Sequence, residues 1–419
     1  MGGRPSIART AELITIIVLK LRPAFGFLLL LALMPISLQS RQSLPTGALD
    51  SVASSAENNS NSSAFVGDEA CRLCHQLQTS TYFETAHHLT SRMPDQNSML
   101  GKFNDGANIL KTSTPSIYYQ MTATNEGYFE SAVEELSPFR KVSHTERIDL
   151  VFGSGRRGQT YLFWKGDRLL ELPVSYWTEL DGWINSPGFP DGSPRFDKPV
   201  LPRCLECHSG RFEQLPQSEN SYLSSSLVLG ITCERCHGAG REHVLFRASK
   251  TPARSGIQDA IVNPALLPRD RQIDICAFCH AGPGKPLAPA LSFAPGGVLE
   301  DYVQIPYTPD AAIDVHGNQA QLLARSRCFQ GSAMTCTTCH DVHKRQRDAA
   351  AFSSHCLTCH KPKDCAKFRK LGRAIASDCV DCHMPLEESE VLISHTSGRK
   401  LKPWVRNHRI GVYPEAQSQ

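Results

Sequence analysis

Fourteen of the sixteen cysteines in this 419-residue chain fall in Cys-x-x-Cys pairs, and in all seven pairs the next residue is histidine. The motifs are Cys71-Arg-Leu-Cys74-His75, Cys204-Leu-Glu-Cys207-His208, Cys233-Glu-Arg-Cys236-His237, Cys276-Ala-Phe-Cys279-His280, Cys336-Thr-Thr-Cys339-His340, Cys356-Leu-Thr-Cys359-His360 and Cys379-Val-Asp-Cys382-His383. Two thiols one short turn apart reach the two vinyl groups of one porphyrin, and the imidazole beside them lies under the iron. Zinc ribbons pair Cys-x-x-Cys motifs but have no reason to place histidine after each second cysteine. Redox dithiols occur once or twice in a chain, within a βαβ pattern. The spacing therefore predicts seven covalently bound haem c groups. The fourteen cysteines are the attachment points, and His75, His208, His237, His280, His340, His360 and His383 are the proximal iron ligands.

Nine further histidines are available as distal ligands. His243 follows the third motif in Cys-His-Gly-Ala-Gly-Arg-Glu-His; too close to cap its own haem, it is assigned to a neighbouring one. His343, three residues after His340, is placed similarly. His316 in His-Gly-Asn-Gln and His408 in Asn-His-Arg-Ile complete the better candidates, and one of the adjacent His87 and His88 joins them, with His87 chosen. His355 is open between a ligand and a propionate partner, and His144 and His395 are open between ligands and surface residues. Methionines beyond the N-terminus, such as Met93 and Met99, are weaker options. Cys328 and Cys365 stand outside the motifs and read as a disulfide, or else one is a thiolate ligand.

Residues 1–22 carry four bases, Arg4, Arg9, Lys20 and Arg22, against one acid, Glu12, and an apolar run follows from Ala24 to Leu38. That pattern reads as an export signal, either cleaved or kept as a membrane anchor. Residues 41–66, rich in Ser, Asn and Ala, form a disordered linker. The expected order is then a first haem segment (67–111), a β-rich haem-free insert (about 112–201), a six-haem core (202–385) and a C-terminal wrap (386–419) supplying distal histidine. The fold class is a mainly α and irregular multihaem cytochrome with a haem-packed core. Six motifs crowd into 204–383, too densely for side chains alone to make an interior. Short helical stretches such as 366–376 fit this reading. In the insert, Thr124-Asn-Glu marks a hairpin and Lys165-Gly-Asp turns a meander. Gly153-Ser-Gly-Arg-Arg-Gly158 matches a dinucleotide pattern in letters only; it leads into a strand and is a glycine-rich turn.

Cys233-Glu-Arg-Cys-His-Gly-Ala-Gly-Arg-Glu-His243, Met334-Thr-Cys-Thr-Thr-Cys-His-Asp-Val-His343 and Cys379-Val-Asp-Cys-His-Met-Pro385 together resemble one group of proteins. It is the multihaem cytochrome c superfamily of the pentahaem nitrite reductases, the octahaem hydroxylamine oxidoreductases and the tetrahaem cytochrome serving the latter. The order of the insert further resembles a large branch of exported multihaem cytochromes. The nitrite reductases carry Cys-x-x-Cys-Lys at the catalytic haem, and this sequence has none. Nothing marks Tyr302, Tyr307 or Tyr413 for the tyrosine cross-link of the hydroxylamine enzymes.

The expected function is electron transfer in the periplasm through closely stacked, mostly bis-His haems. The partners would be a quinol-side donor and a terminal reductase, with membrane association through the N-terminus. The alternative is an oxidoreductase acting on a small nitrogen or sulfur compound at one five-coordinate haem. With 44 Lys and Arg against 41 Asp and Glu, no broad basic field exists for nucleic acid. The haem propionates would make the loaded protein acidic.

Overall fold

The computed structural model describes residues 64–249, 259–282, 284–306, 313–314 and 317–413. The expected signal, nearly all of the 41–66 linker and His316 lie outside the described residues. Those described belong to one compact unit, Leu44–Gln419. Among them no helix is long and apolar enough to cross a membrane.

Ten strands lie between residues 91 and 199: β1 (Ser91–Arg92), β2 (Ile109–Lys111), β3 (Ile117–Thr124), β4 (Gly127–Ser137), β5 (Arg140–Arg147), β6 (Leu150–Phe152), β7 (Gly158–Lys165), β8 (Arg168–Trp177), β9 (Gly182–Asn185) and β10 (Lys198–Pro199). They form two antiparallel sheets, a four-stranded β2-β3-β4-β5 and a six-stranded β1-β6-β7-β8-β10 with β9 also paired to β8. The Thr124 turn closes β3 onto β4, with Thr124 opposite Gly127, and the Gly166-Asp167 turn closes β7 onto β8, with Lys165 opposite Arg168. Gly153, Gly155 and Gly158 connect antiparallel β6 and β7; the first two have positive φ, which glycine adopts without steric cost.

Because side chains alternate across a strand, the six-stranded sheet has two apolar faces. One face, Val151, Tyr161, Phe163, Leu170, Leu172, Val174 and Tyr176, packs against Tyr119, Met121 and Ala132 of the four-stranded sheet. The opposite face, Leu150, Phe152, Leu162 and Leu169, packs on Val200, Leu205, Phe212 and Tyr222. Leu205 belongs to the helix Pro202–His208, which carries the second motif. Burial on both faces explains why β8 reads as an almost unbroken apolar run.

Strands also lie outside the β-rich insert, and one helix expectation needs correction. Strands are not confined to 112–201: β1 and β2 precede that span, and two small ladders follow the last motif, Leu386–Glu388 with Trp404–Arg406 and Ser394–Thr396 with Arg399–Leu401. The second ladder is tied back to the insert, where the Asn185 amide donates to Thr396 Oγ1 at 2.9 Å. The helix expected over 366–376 is broken into Phe368–Leu371 and a 3-10 stretch Gly372–Ser377, because Gly372 takes a φ of 64° at the junction.

Candidate haem-binding cavity

Local geometry puts the motif residues to use. In the first, third, fifth and sixth motifs the histidine amide donates to the carbonyl of the first cysteine at 2.9–3.0 Å. That single helical turn sets the first cysteine and the imidazole on one side of the backbone, with the second cysteine beside them. All seven motifs line one continuous cavity of about 4390 Å³. An ordinary small-molecule pocket holds roughly 300–1,000 Å³, so this space suits several large cofactors side by side.

Four of the proximal histidines face another histidine across that space. Ring centres are 6.3 Å apart for His75 and His243, 6.0 Å for His237 and His343, 6.1 Å for His87 and His280, and 6.3 Å for His340 and His408. Two imidazoles sharing one iron, each bound at about 2 Å through nitrogen, place their ring centres about 6 Å apart. The ring planes lie within 22–24° of parallel in three pairs and cross at 72° between His87 and His280.

In each pair the motif histidine meets a histidine from elsewhere in the chain, and for the first site the reason is visible. The Cys71 thiol contacts that of Cys233, so the segment after the third motif, carrying His243, reaches over the first. Two carboxylates lock this junction. Glu234 accepts from the amides of Val66, Gly67 and Gly240 at 2.8–3.0 Å, and Asp68 accepts from that of Cys233 at 2.9 Å. Further thiol contacts join Cys207 to Cys279 and Cys276 to Cys336. Cys236 lies near Cys276, and Cys356 lies near both Cys339 and Cys379. The first and third motifs, the second and fourth, and the fourth and fifth are thus neighbours in space.

Tautomers are set by outer partners. Backbone carbonyls can only accept, so His237 Nδ1 donates to Val262 O at 2.9 Å, His408 Nδ1 to Arg406 O at 3.0 Å and His383 Nδ1 to Gly411 O at 2.6 Å. Each leaves an Nε2 lone pair for a metal. Burial, helped by His87, His408 and His340, pulls His280 down to about 4; burial, His408 and Arg156 do the same for His340. Both imidazoles are neutral at pH 7, the form that ligates iron.

The remaining candidates fall elsewhere. Among the described residues no histidine ring is paired with His360 or His383. His208 stacks on Phe152 with ring centres 5.1 Å apart, and its Nδ1 is 2.9 Å from Thr90 Oγ1. His88 turns away from His87 and stacks on Phe83. His355 lies near His340. His144 bonds Glu146 on exposed β5, and His395 is exposed on the C-terminal ladder. Cys328 and Cys365 do not form the expected disulfide. Both are free: Cys328 lies beside Cys339, whereas Cys365 lies beside Cys379 and Cys382. The fold seats them against different motifs. Sequence reasoning missed the supporting groups Glu234, Asp68 and Thr90, since a carboxylate or hydroxyl far along the chain carries no local signal.

Residues 191–238, spanning the second and third motifs, match the family model "Cytochrome c554 and c-prime". No curated protein matches the sequence. The fold is similar to that of the outer cell wall cytochrome OcwA, with a TM-score of 0.50 and 17% identity over 80% of each chain. An undecahaem cytochrome from the S-layer of Carboxydothermus ferrireducens aligns with a TM-score of 0.38 and 16% identity over 77% of this chain and 51% of that one. The fold shared with OcwA is that of a cytochrome.

Proposed function

We propose that this chain is a seven-haem c-type cytochrome that carries single electrons outside the cytoplasm, along the spatial string of its motifs. The observation that carries the reading is the set of four histidine pairs with ring centres 6.0–6.3 Å apart, each holding a motif histidine. The bound haems supply reversible one-electron chemistry. The protein's residues would do the rest: the motif cysteines would tether the haems, the paired imidazoles would ligate their irons, and the contacts between motifs would keep neighbouring sites adjacent. A site closed on both faces exchanges electrons without binding substrate. The name of OcwA, an outer cell wall cytochrome, supports export of this chain as well. Redox proteins, a quinol-side donor and a terminal reductase, are the partners this role requires.

Intact mass and iron content of the purified protein test the haem number, with seven expected. Electron paramagnetic resonance of the oxidised protein tests ligation. The three near-parallel pairs give ordinary low-spin signals, and the crossed His87/His280 pair gives the most anisotropic one. Absence of that signal would sink the assigned pairing.

A further inference from the structure

His243 differs from the other paired histidines in what holds its outer nitrogen. Its Nδ1 lies 2.6 Å from Asp259 Oδ1, and the same carboxylate is held through Oδ2 by Arg247 at 2.5 Å. His237 and His408 bond only backbone carbonyls there, and His343 stands 3.9 Å from Asp341, beyond hydrogen-bond range. The Asp259 contact is also shielded, with the imidazole and carboxylate side chains 19% and 23% exposed.

We propose that Asp259 is a positioning residue that tunes the first haem site, holding its reduction potential below that of its neighbour at His237 and His343. This rests on the reading that His75 and His243 share an iron. A carboxylate accepting from Nδ1–H fixes the tautomer, lends the imidazole anionic character and makes Nε2 a stronger donor. Stronger donation and a nearby negative charge both favour ferric over ferrous iron. A carbonyl carries only a partial charge and does less. The Cys71–Cys233 contact makes the third motif the first site's immediate neighbour. One electron then moves from the His75/His243 iron, which is oxidised, to the His237/His343 iron, which is reduced, and the return step is uphill. Asp259 thereby gives one end of the string a direction.

The test is a reductive titration of the full-length haem-loaded protein, followed by visible absorption and by electron paramagnetic resonance of poised samples. Asp259→Asn should shift the reduction equilibrium of the first site about tenfold toward the reduced form, equivalent to about 59 mV for one electron. Asp259→Glu, which keeps the carboxylate, should return it most of the way. No shift in Asp259→Asn, or equal shifts in both variants, would overturn the proposal. Should Asp259→Asn fail to hold seven haems, Arg247→Gln decides. That side chain is 61% exposed, and freeing the carboxylate from it should lower the potential; an unchanged potential would overturn the tuning role. His243→Ala separates the two levels of argument. Conversion of one low-spin haem to high-spin establishes the ligation whatever Asp259 does, whereas seven unchanged haems would remove the ligation and this proposal with it.

Discussion

The β layers and the motif-lined half of this molecule make their interiors in opposite ways. Between 109 and 199 side chains meet side chains: Tyr119, Met121, Ile148, Val151, Tyr161, Leu169, Leu172 and Val174 are all 0% exposed. From 202 onward the longest described helix is the 12-residue Arg269–His280, and apolar clusters are small, such as Ile313, Leu322 and Val405. There the side chains withdraw around a common cavity instead. A chain that carries its own apolar bulk as covalently attached groups need not supply it as Leu and Val. The two halves meet at the six-stranded sheet, whose second face seats the helix of the second motif.

The sharpest way to break this contrast is to remove the fourth motif, which touches both the second and the fifth. Cys276→Ala with Cys279→Ala should lose one haem by intact mass. It should also destabilise the motif-lined half by more than about 5 kcal/mol, the exceptional range for small changes. Unfolding followed at the Soret band should then precede most of the unfolding followed by tryptophan fluorescence, since Trp164, Trp177 and Trp183, three of the four tryptophans, lie in the β layers. Coincident transitions would show that the halves do not differ as described.

Leu172→Ala attacks the other side. A fully buried leucine in a side-chain core costs about 2–5 kcal/mol on truncation. Denaturant unfolding should show that loss while the Soret spectrum at zero denaturant stays unchanged. Glu234→Ala tests the junction. It strips the acceptor from three backbone amides, and the buried Gly240 amide alone should cost about 1–3 kcal/mol. The His75/His243 resonance signal should broaden or shift, whereas that of His340/His408 should not.

The last test is a pH dependence. Glu130 is wholly buried between the two sheets, and its Oε2 and the nearby Tyr119 hydroxyl both lack hydrogen-bond partners. Burial pushes its pKa well above the ordinary glutamate value, despite the bond its Oε1 accepts from the Val174 amide. The raised pKa lies in the folded state, so the stability it confers is complete below the ordinary carboxyl pKa. It is lost as pH rises through the folded value. Glu130→Gln should therefore change the melting temperature least at pH 5 and raise it increasingly toward pH 8. A gain independent of pH would contradict this.

Legibility differed in the same way. The hairpins at Thr124 and Lys165 could be read because a turn and two alternating strands are local features, and β3, β4, β7 and β8 lie there. The attachment residues were equally legible, five contiguous letters seven times over. His87, His243, His343 and His408 were named as ligands without knowing what each would face. The structure brings them to His280, His75, His237 and His340 in that order. The disulfide expected between Cys328 and Cys365 was an argument from compartment, and compartment says nothing about distance.

By itself the sequence determined the chemistry this chain can hold, because a Cys-x-x-Cys-His turn is complete within five residues and needs no distant partner. It also determined that six of the seven motifs share one short stretch. Only the tertiary structure decided which motif lies beside which, that the first adjoins the third, and that Asp259 stands behind His243. Those are contacts between residues far apart in the chain or set by how loops close over a cavity. Their geometry depends on the packing of the whole, which no local spacing encodes.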